Sequence, residues 1–179
     1  MKHLLSSIRY VALPAVAIAA PGSSVWAASY LSLEQAQQAI FPGAKLMRME
    51  VQLTPEQRQA IEKSSGVKVR VAKLALWKTD DSDWFFLDEV IGKHEFITYA
   101  VGITAQGVVK QVEVMDYREN YGSEVRRSQW RDQFVGKKHG DGFKLDSDIK
   151  SISGATLSCR HISEGVKRLL ATYELVLRK

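Results

Sequence analysis

The chain of 179 residues contains one cysteine, Cys159, and four prolines. A single cysteine excludes an intrachain disulfide. It also excludes any zinc or iron–sulfur site built from several cysteines. No apolar run approaches the roughly 20 residues that a membrane-spanning helix needs. The charge excess is small, with 25 Lys and Arg against 20 Asp and Glu, or +5, and a surplus of that size does not argue for nucleic-acid binding. There is no Gly-x-Ser-x-Gly elbow, no phosphate-binding loop of the nucleotidase kind and no paired-glycine dinucleotide fingerprint. Beyond residue 27 the histidines are His94, His139 and His161, scattered without metal-ligand spacing.

What is present fits a folded domain. Hydrophobic residues make up 45% and charged residues 25%, the balance of a globular protein rather than a disordered one. The length predicts one domain with a core large enough to need no staples.

Residues 1–27 read as a secretory signal peptide. Lys2 and Arg9 lie ahead of an apolar run at 10–20, no acidic residue accompanies them, and Val25-Trp26-Ala27 offers a cleavage site after Ala27. The run is too short to span a bilayer and Pro14 interrupts it; an uncleaved N-terminal anchor is the alternative. Removing Lys2 and Arg9 leaves 23 basic against 20 acidic residues. The product beginning at Ala28 is expected outside the cytoplasm, in the periplasm or at the outer face of the cytoplasmic membrane.

Within the remaining chain, Ser32 and Gln35 form a capping-box pattern ahead of a short helix that Pro42-Gly43 ends. Thr54 and Gln57 repeat the pattern, with Pro55 at the first helical position and Gly66 as the stop. Residues 45–52 alternate as a strand. Four more strands are predicted at 67–77, 84–91, 95–103 and 108–117, the last with Val108, Val112 and Val114 on one face. Short polar or Gly-containing connections favour antiparallel hairpins. Residues 118–127 read as a loop and 128–134 as a short helix capped by Ser128. The apolar residues at 157, 162, 166, 169, 170, 173 and 177 have the spacing of an amphipathic helix. The expected fold is α+β, an antiparallel sheet packed with helices and ending in a long C-terminal amphipathic helix. Residues 28–91 would supply N-terminal helices and strands of the same domain, and 92–179 the region carrying the site.

The segment with the most chemical content is 151–160, SISGATLSCR. It enters the last helix through Ser153-Gly154-Ala155-Thr156. Gly154 permits an unusual backbone angle or close approach of a ligand, and Ser153 and Thr156 are both candidate N-caps. A helix start offers unpaired N–H groups and the positive end of the dipole, which suits a phosphate. Ser158 adds a hydroxyl and Arg160 a charge. A tight turn with an ordinary cap is the other reading of the same residues. Cys159 reads as a small buried residue. The basic stretch Arg126, Arg127, Arg131, Lys137, Lys138 and Lys144 is either a solvated face or a dock for an acidic redox partner.

SGATLS resembles the flavin-attachment motif of the FMN-binding domain family, which includes small exported subunits of sodium- and proton-pumping redox complexes. The resemblance extends to QWRDQFVGK at 129–137, to RENYGSE at 118–124 and to GKHEFITYAVGI at 92–103, so that about 92–170 matches in order. It implies FMN as cofactor, joined through its phosphate to Thr156 by a dedicated flavin transferase. Ser153, Gly154, Ala155, Leu157 and Ser158 would complete the attachment turn. Glu119, Asn120 and Tyr121, with Trp130 and Lys93, are candidates to contact the ring. Lys150 departs from the family motif, which has Asp six positions before the threonine; the nearest acids are Asp146 and Asp148.

The resemblance further implies an electron carrier, or a subunit of an oxidoreductase system, rather than a stand-alone enzyme. It would relay electrons between a membrane redox protein, such as a haem-containing reductase, and another carrier, with no nucleic acid involved. A cofactor-free exported module that binds a protein or peptide is the alternative.

Overall fold

The computed structural model describes residues 31–178; the signal-peptide expectation for 1–27 lies outside the described residues. Helix α1 (Leu33–Ile40) precedes strand β1 (Leu46–Gln52), and α2 (Pro55–Ser65) precedes β2 (Lys73–Thr79), β3 (Trp84–Ile91), β4 (Phe96–Ile103) and β5 (Val109–Tyr117). The short α3 (Ser128–Arg131) follows, then α4 (Thr156–Thr172), which widens into a last turn at Tyr173–Leu177. The strands form one antiparallel sheet in chain order, β1-β2-β3-β4-β5. The α+β architecture is the one expected.

Both capping boxes form. Ser32 Oγ and Thr54 Oγ1 each accept from the backbone N–H of the glutamine three positions on, at 3.2 Å, and each glutamine side chain accepts in return. Such caps contribute about 1 kcal/mol each. They fix where two short helices begin, which propensity alone would not.

The central strands are buried on both faces, and this explains their imperfect alternation. Phe86, Tyr99, Val101, Val112 and Val114 face α4, where Cys159, Ile162, Val166 and Leu170 close the main core. Trp77, Phe85, Ala100 and Met115 face the other way, onto Ala36, Ile40 and Phe41 at α1. A strand sandwiched between two layers reads as a nearly continuous apolar run.

Four local expectations are corrected. The strand predicted from residue 67 begins at Lys73. Val69 instead packs with Leu53, Ile61 and Ala171, and its backbone N–H and C=O are taken by Glu62 and Arg58 side chains. Val108 lies outside β5 and off the expected face, because a bulge between Gly102 and Ile103 shifts the register; Val109 replaces it in the core. The predicted loop 118–127 contains a 3-10 turn, Ser123–Arg126. Ser128 does not cap α3; Arg127 holds that position without a side-chain hydrogen bond.

A buried polar cluster joins α4 to the sheet. Arg168 Nη2 and the Tyr99 hydroxyl both donate to Asp88 Oδ2. Gly165 lies against Tyr99, where no side chain would fit. This sets the height at which α4 crosses β3 and β4, and hence where its first turn emerges.

Candidate functional site

That first turn emerges at one end of the sheet, beside the β3–β4 connection and the loop leaving β5. Ala155 N–H donates to Ile152 C=O at 3.0 Å, closing a turn with Gly154 at φ 80°, the backbone that a type II turn requires at its third position. Ala155 stands at the N-cap of α4 and no side chain caps the helix. Neither Ser153 nor Thr156 plays the cap expected of it, since both are exposed and Thr156 is already the first helical residue. Unlike α1 and α2, α4 starts with no side chain satisfying its first N–H groups.

Three chain segments meet there in a cleft of about 280 Å³. Lys93 and His94 come from the β3–β4 turn, Glu119, Asn120 and Tyr121 from the loop after β5, and Gly154, Ala155, Thr156, Leu157 and Ser158 from the start of α4. The structure thus brings together the predicted site residues except two, Trp130 and Ser153, the latter on the exposed turn outside the cleft wall. Trp130 does not reach the cleft. It is buried, packs edge-on against Phe134 with ring centroids 5.1 Å apart, and donates from Nε1 to Lys150 C=O at 2.8 Å.

The three hydroxyls of the motif differ in availability. Ser158 is only 3% exposed, and its Oγ is 3.1 Å from the Tyr117 hydroxyl, which donates to Tyr121 C=O at 2.6 Å. Ser158 therefore serves the wall rather than facing a ligand. Thr156 is the hydroxyl that is both exposed and in the cleft. Tyr121, 78% exposed, and Leu157, 38% exposed, present apolar surface to the same cleft. Gly122 allows the loop to lie against the turn, for a Cβ there would overlap that of Ala155.

The electrostatics follow from these contacts. Glu119 is partly desolvated, which opposes its charge, but N–H donors from His94, Glu95 and Lys93 outweigh this and hold its carboxyl below the usual range. Burial pushes the Tyr117 hydroxyl up, with Ser158 acting in the opposite direction. Burial likewise raises the Cys159 thiol, so this fully buried cysteine is a packing residue, as expected. His94 lies exposed on the β3–β4 turn. No local pattern marks it or Tyr117 as a site residue; their roles arise from the approach of β3, β5 and α4.

The basic stretch does not form one face. Arg131, partly buried, pairs with Glu113 and also donates to the Arg126 and Val112 carbonyls. Lys137 Nζ donates to Gly142 C=O at 3.0 Å and lies over the Phe143 ring.

The segment where the family motif departs is also well placed. Asp146 Oδ1 accepts from the Ser151 hydroxyl at 2.7 Å and its amide at 3.1 Å. These bonds keep Asp146 below the ordinary carboxylate range. Asp148 Oδ2 accepts from Lys144 N–H at 2.8 Å, and Lys150 is exposed.

The FMN-binding domain model matches residues 92–171, which contain the whole cleft, and the match indicates FMN as the cofactor. Among solved structures the chain is similar to the crystal structure of Shewanella oneidensis NqrC, at 18% identity and a TM-score of 0.49, over 70% of this chain and 69% of that one. A comparison with curated proteins gave no match. The family match favours a flavin-binding role over a cofactor-free module.

The cleft fits such a group on its own geometry. An uncapped helix start suits one phosphate anion, an exposed hydroxyl stands at that start, and Tyr121 and Leu157 add apolar surface to the cleft.

Proposed function

We propose that this chain is an exported electron carrier whose FMN is held by a phosphoester on Thr156. The observation that carries this reading is the start of α4: its first N–H groups lack a side-chain cap where the exposed Thr156 lines a cleft formed by three segments. Esterification leaves the phosphate with about one negative charge, which those N–H groups and the helix dipole stabilise. Ser158 is buried against Tyr117 and Ser153 lies outside the cleft wall, so Thr156 is the hydroxyl suited to modification. Ala155 and Gly154 keep the turn small, and Leu157 and Tyr121 supply the apolar contact.

When bound, the flavin supplies the one- and two-electron chemistry. The chain holds and orients it. A covalent tether also prevents loss by dilution in a compartment where free FMN is scarce, because it keeps the local concentration high. In this reading residues 1–27 direct export, a flavin transferase loads Thr156, and the partner is a membrane redox protein such as a haem-containing reductase.

The test is to produce the chain together with a flavin transferase and recover it from the exported fraction. The protein should be yellow and keep its flavin after denaturation. Its intact mass should exceed that of the mature polypeptide by one FMN less one water. Thr156→Ala should abolish the increment; an adduct retained in that variant removes Thr156 from the role.

A further inference from the structure

We infer that Glu119 is a positioning residue of the flavin cleft, whose carboxylate locks the β3–β4 turn and the loop after β5 into one rigid wall for the isoalloxazine ring. The inference rests on the FMN-attachment reading above. It differs from the ring contact expected of this residue, because the carboxylate points to protein backbone.

One oxygen, Oε1, accepts from three successive backbone N–H groups. His94 donates at 2.6 Å and Glu95 at 3.1 Å, with Lys93 the third donor. Successive N–H groups converging on one point form an anion-binding concavity. Here the anion comes from the chain itself, 24 to 26 positions away. The turn is closed independently by Gly92 N–H on Glu95 C=O at 2.7 Å, so the turn does not need Glu119 to exist. What Glu119 adds is attachment to the opposite loop.

A second tie completes the wall. Tyr117, two residues earlier, donates to Tyr121 C=O and meets Ser158 on α4. The loop 119–121 is therefore held on one side to the β3–β4 turn and on the other to the first turn of α4. All three cleft segments are joined before any ligand arrives. A site organised in advance spends less of its binding energy on ordering the chain, and it keeps the ring's surroundings, and hence its electronics, constant. Because the converging N–H groups are already filled by Glu119, the phosphate is left the uncapped start of α4.

The experiment compares wild type, Glu119→Ala and Glu119→Gln as flavin-loaded full chains, with the flavin-free Thr156→Ala chain carrying the same Glu119 substitutions in parallel. Hydrogen exchange at the Lys93, His94 and Glu95 amides should quicken by about tenfold or more in Glu119→Ala. Glu119→Gln, which keeps an acceptor oxygen, should fall between. In the loaded Glu119→Ala chain the flavin's fluorescence anisotropy should drop and its quenching by iodide should rise, while the adduct mass and the core melting temperature hold. Unchanged exchange at these amides would overturn the wall. Faster exchange with unchanged anisotropy and quenching would overturn its role toward the ring. A wild type lacking flavin would defeat the attachment reading instead, and exchange in the flavin-free pair would still decide whether Glu119 holds the turn.

Discussion

The Tyr117 hydroxyl lies 3.1 Å from Ser158 Oγ, so the last residue of β5 is hydrogen-bonded to the first turn of α4 across 41 positions of sequence. The same hydroxyl donates to Tyr121 C=O. Two surfaces that share the cleft are thus referred to one buried oxygen. Tyr117→Phe keeps the ring and removes both bonds. It should lower unfolding stability by about 1–3 kcal/mol, since the Ser158 hydroxyl is left buried without this partner. Denaturant unfolding measures the change, and a stability equal to that of wild type would mean that the contact contributes nothing.

Arg168 and Asp88 make the second test. Their side chains are mostly buried and Tyr99 shares the same carboxylate. Arg168→Ala should destabilise the chain by about 2–4 kcal/mol, at or below the range for breaking a fully buried pair because Asp88 keeps some exposure and its bond to Tyr99. Equilibrium unfolding at neutral pH reads the difference.

The same cluster sets a behaviour in alkali. Burial, helped by the Asp88 charge and opposed by Arg168, raises the Tyr99 hydroxyl well above its ordinary value. A folded-state value above the unfolded one means a contribution that is full below about pH 10 and is lost as the pH rises beyond it. Tyr99→Phe should therefore flatten the alkaline limb of the stability–pH curve.

At the other end of the scale Glu119 acts with the opposite sign. Its carboxyl titrates below the usual range, so its contribution is present above about pH 4.3, the unperturbed glutamate value, and is lost as the pH falls through the lowered folded value. The β3–β4 turn should loosen first as the pH falls below about 4.3, visible as faster exchange at the 93–95 amides than in the core, which stays protected. Uniform exchange across the sheet at that pH would contradict this.

Much of this fold was legible because its determinants are local. Ser32 with Gln35, and Thr54 with Gln57, specify two helix starts within four residues each. The spacing of Ile162, Val166, Leu169 and Leu170 fixes the buried face of α4. What escaped depends on contacts between distant segments. Residues 67–72 have strand-like side chains, yet Glu62 and Arg58 take the Val69 backbone before a strand can. The bulge opposite Gly102 moves Val109 into the place expected of Val108. In the site, the small-residue turn at 153–156 marked the cleft, but whether Ser153 or Thr156 capped the helix could not be read from their types, and neither does. The roles of Glu119 and Tyr117 appear only once β5 ends beside both the β3–β4 turn and α4.

Lys150 gives a test of maturation. It occupies the place where the resemblance leads one to expect Asp, while Asp146 is engaged with Ser151. If the transferase reads an acid at this position, Lys150→Asp should raise the fraction of chains carrying flavin under limiting transferase, measured by intact mass. An unchanged fraction would show that the exposed turn itself suffices.

The most direct measurement is peptide mapping of the denatured, flavin-loaded protein after cleavage at Lys150 and Arg160. The peptide spanning 151–160 should carry the whole flavin, linked through phosphate to Thr156. The same peptide recovered unmodified from yellow protein, or modified at Ser153 or Ser158 instead, would contradict the account.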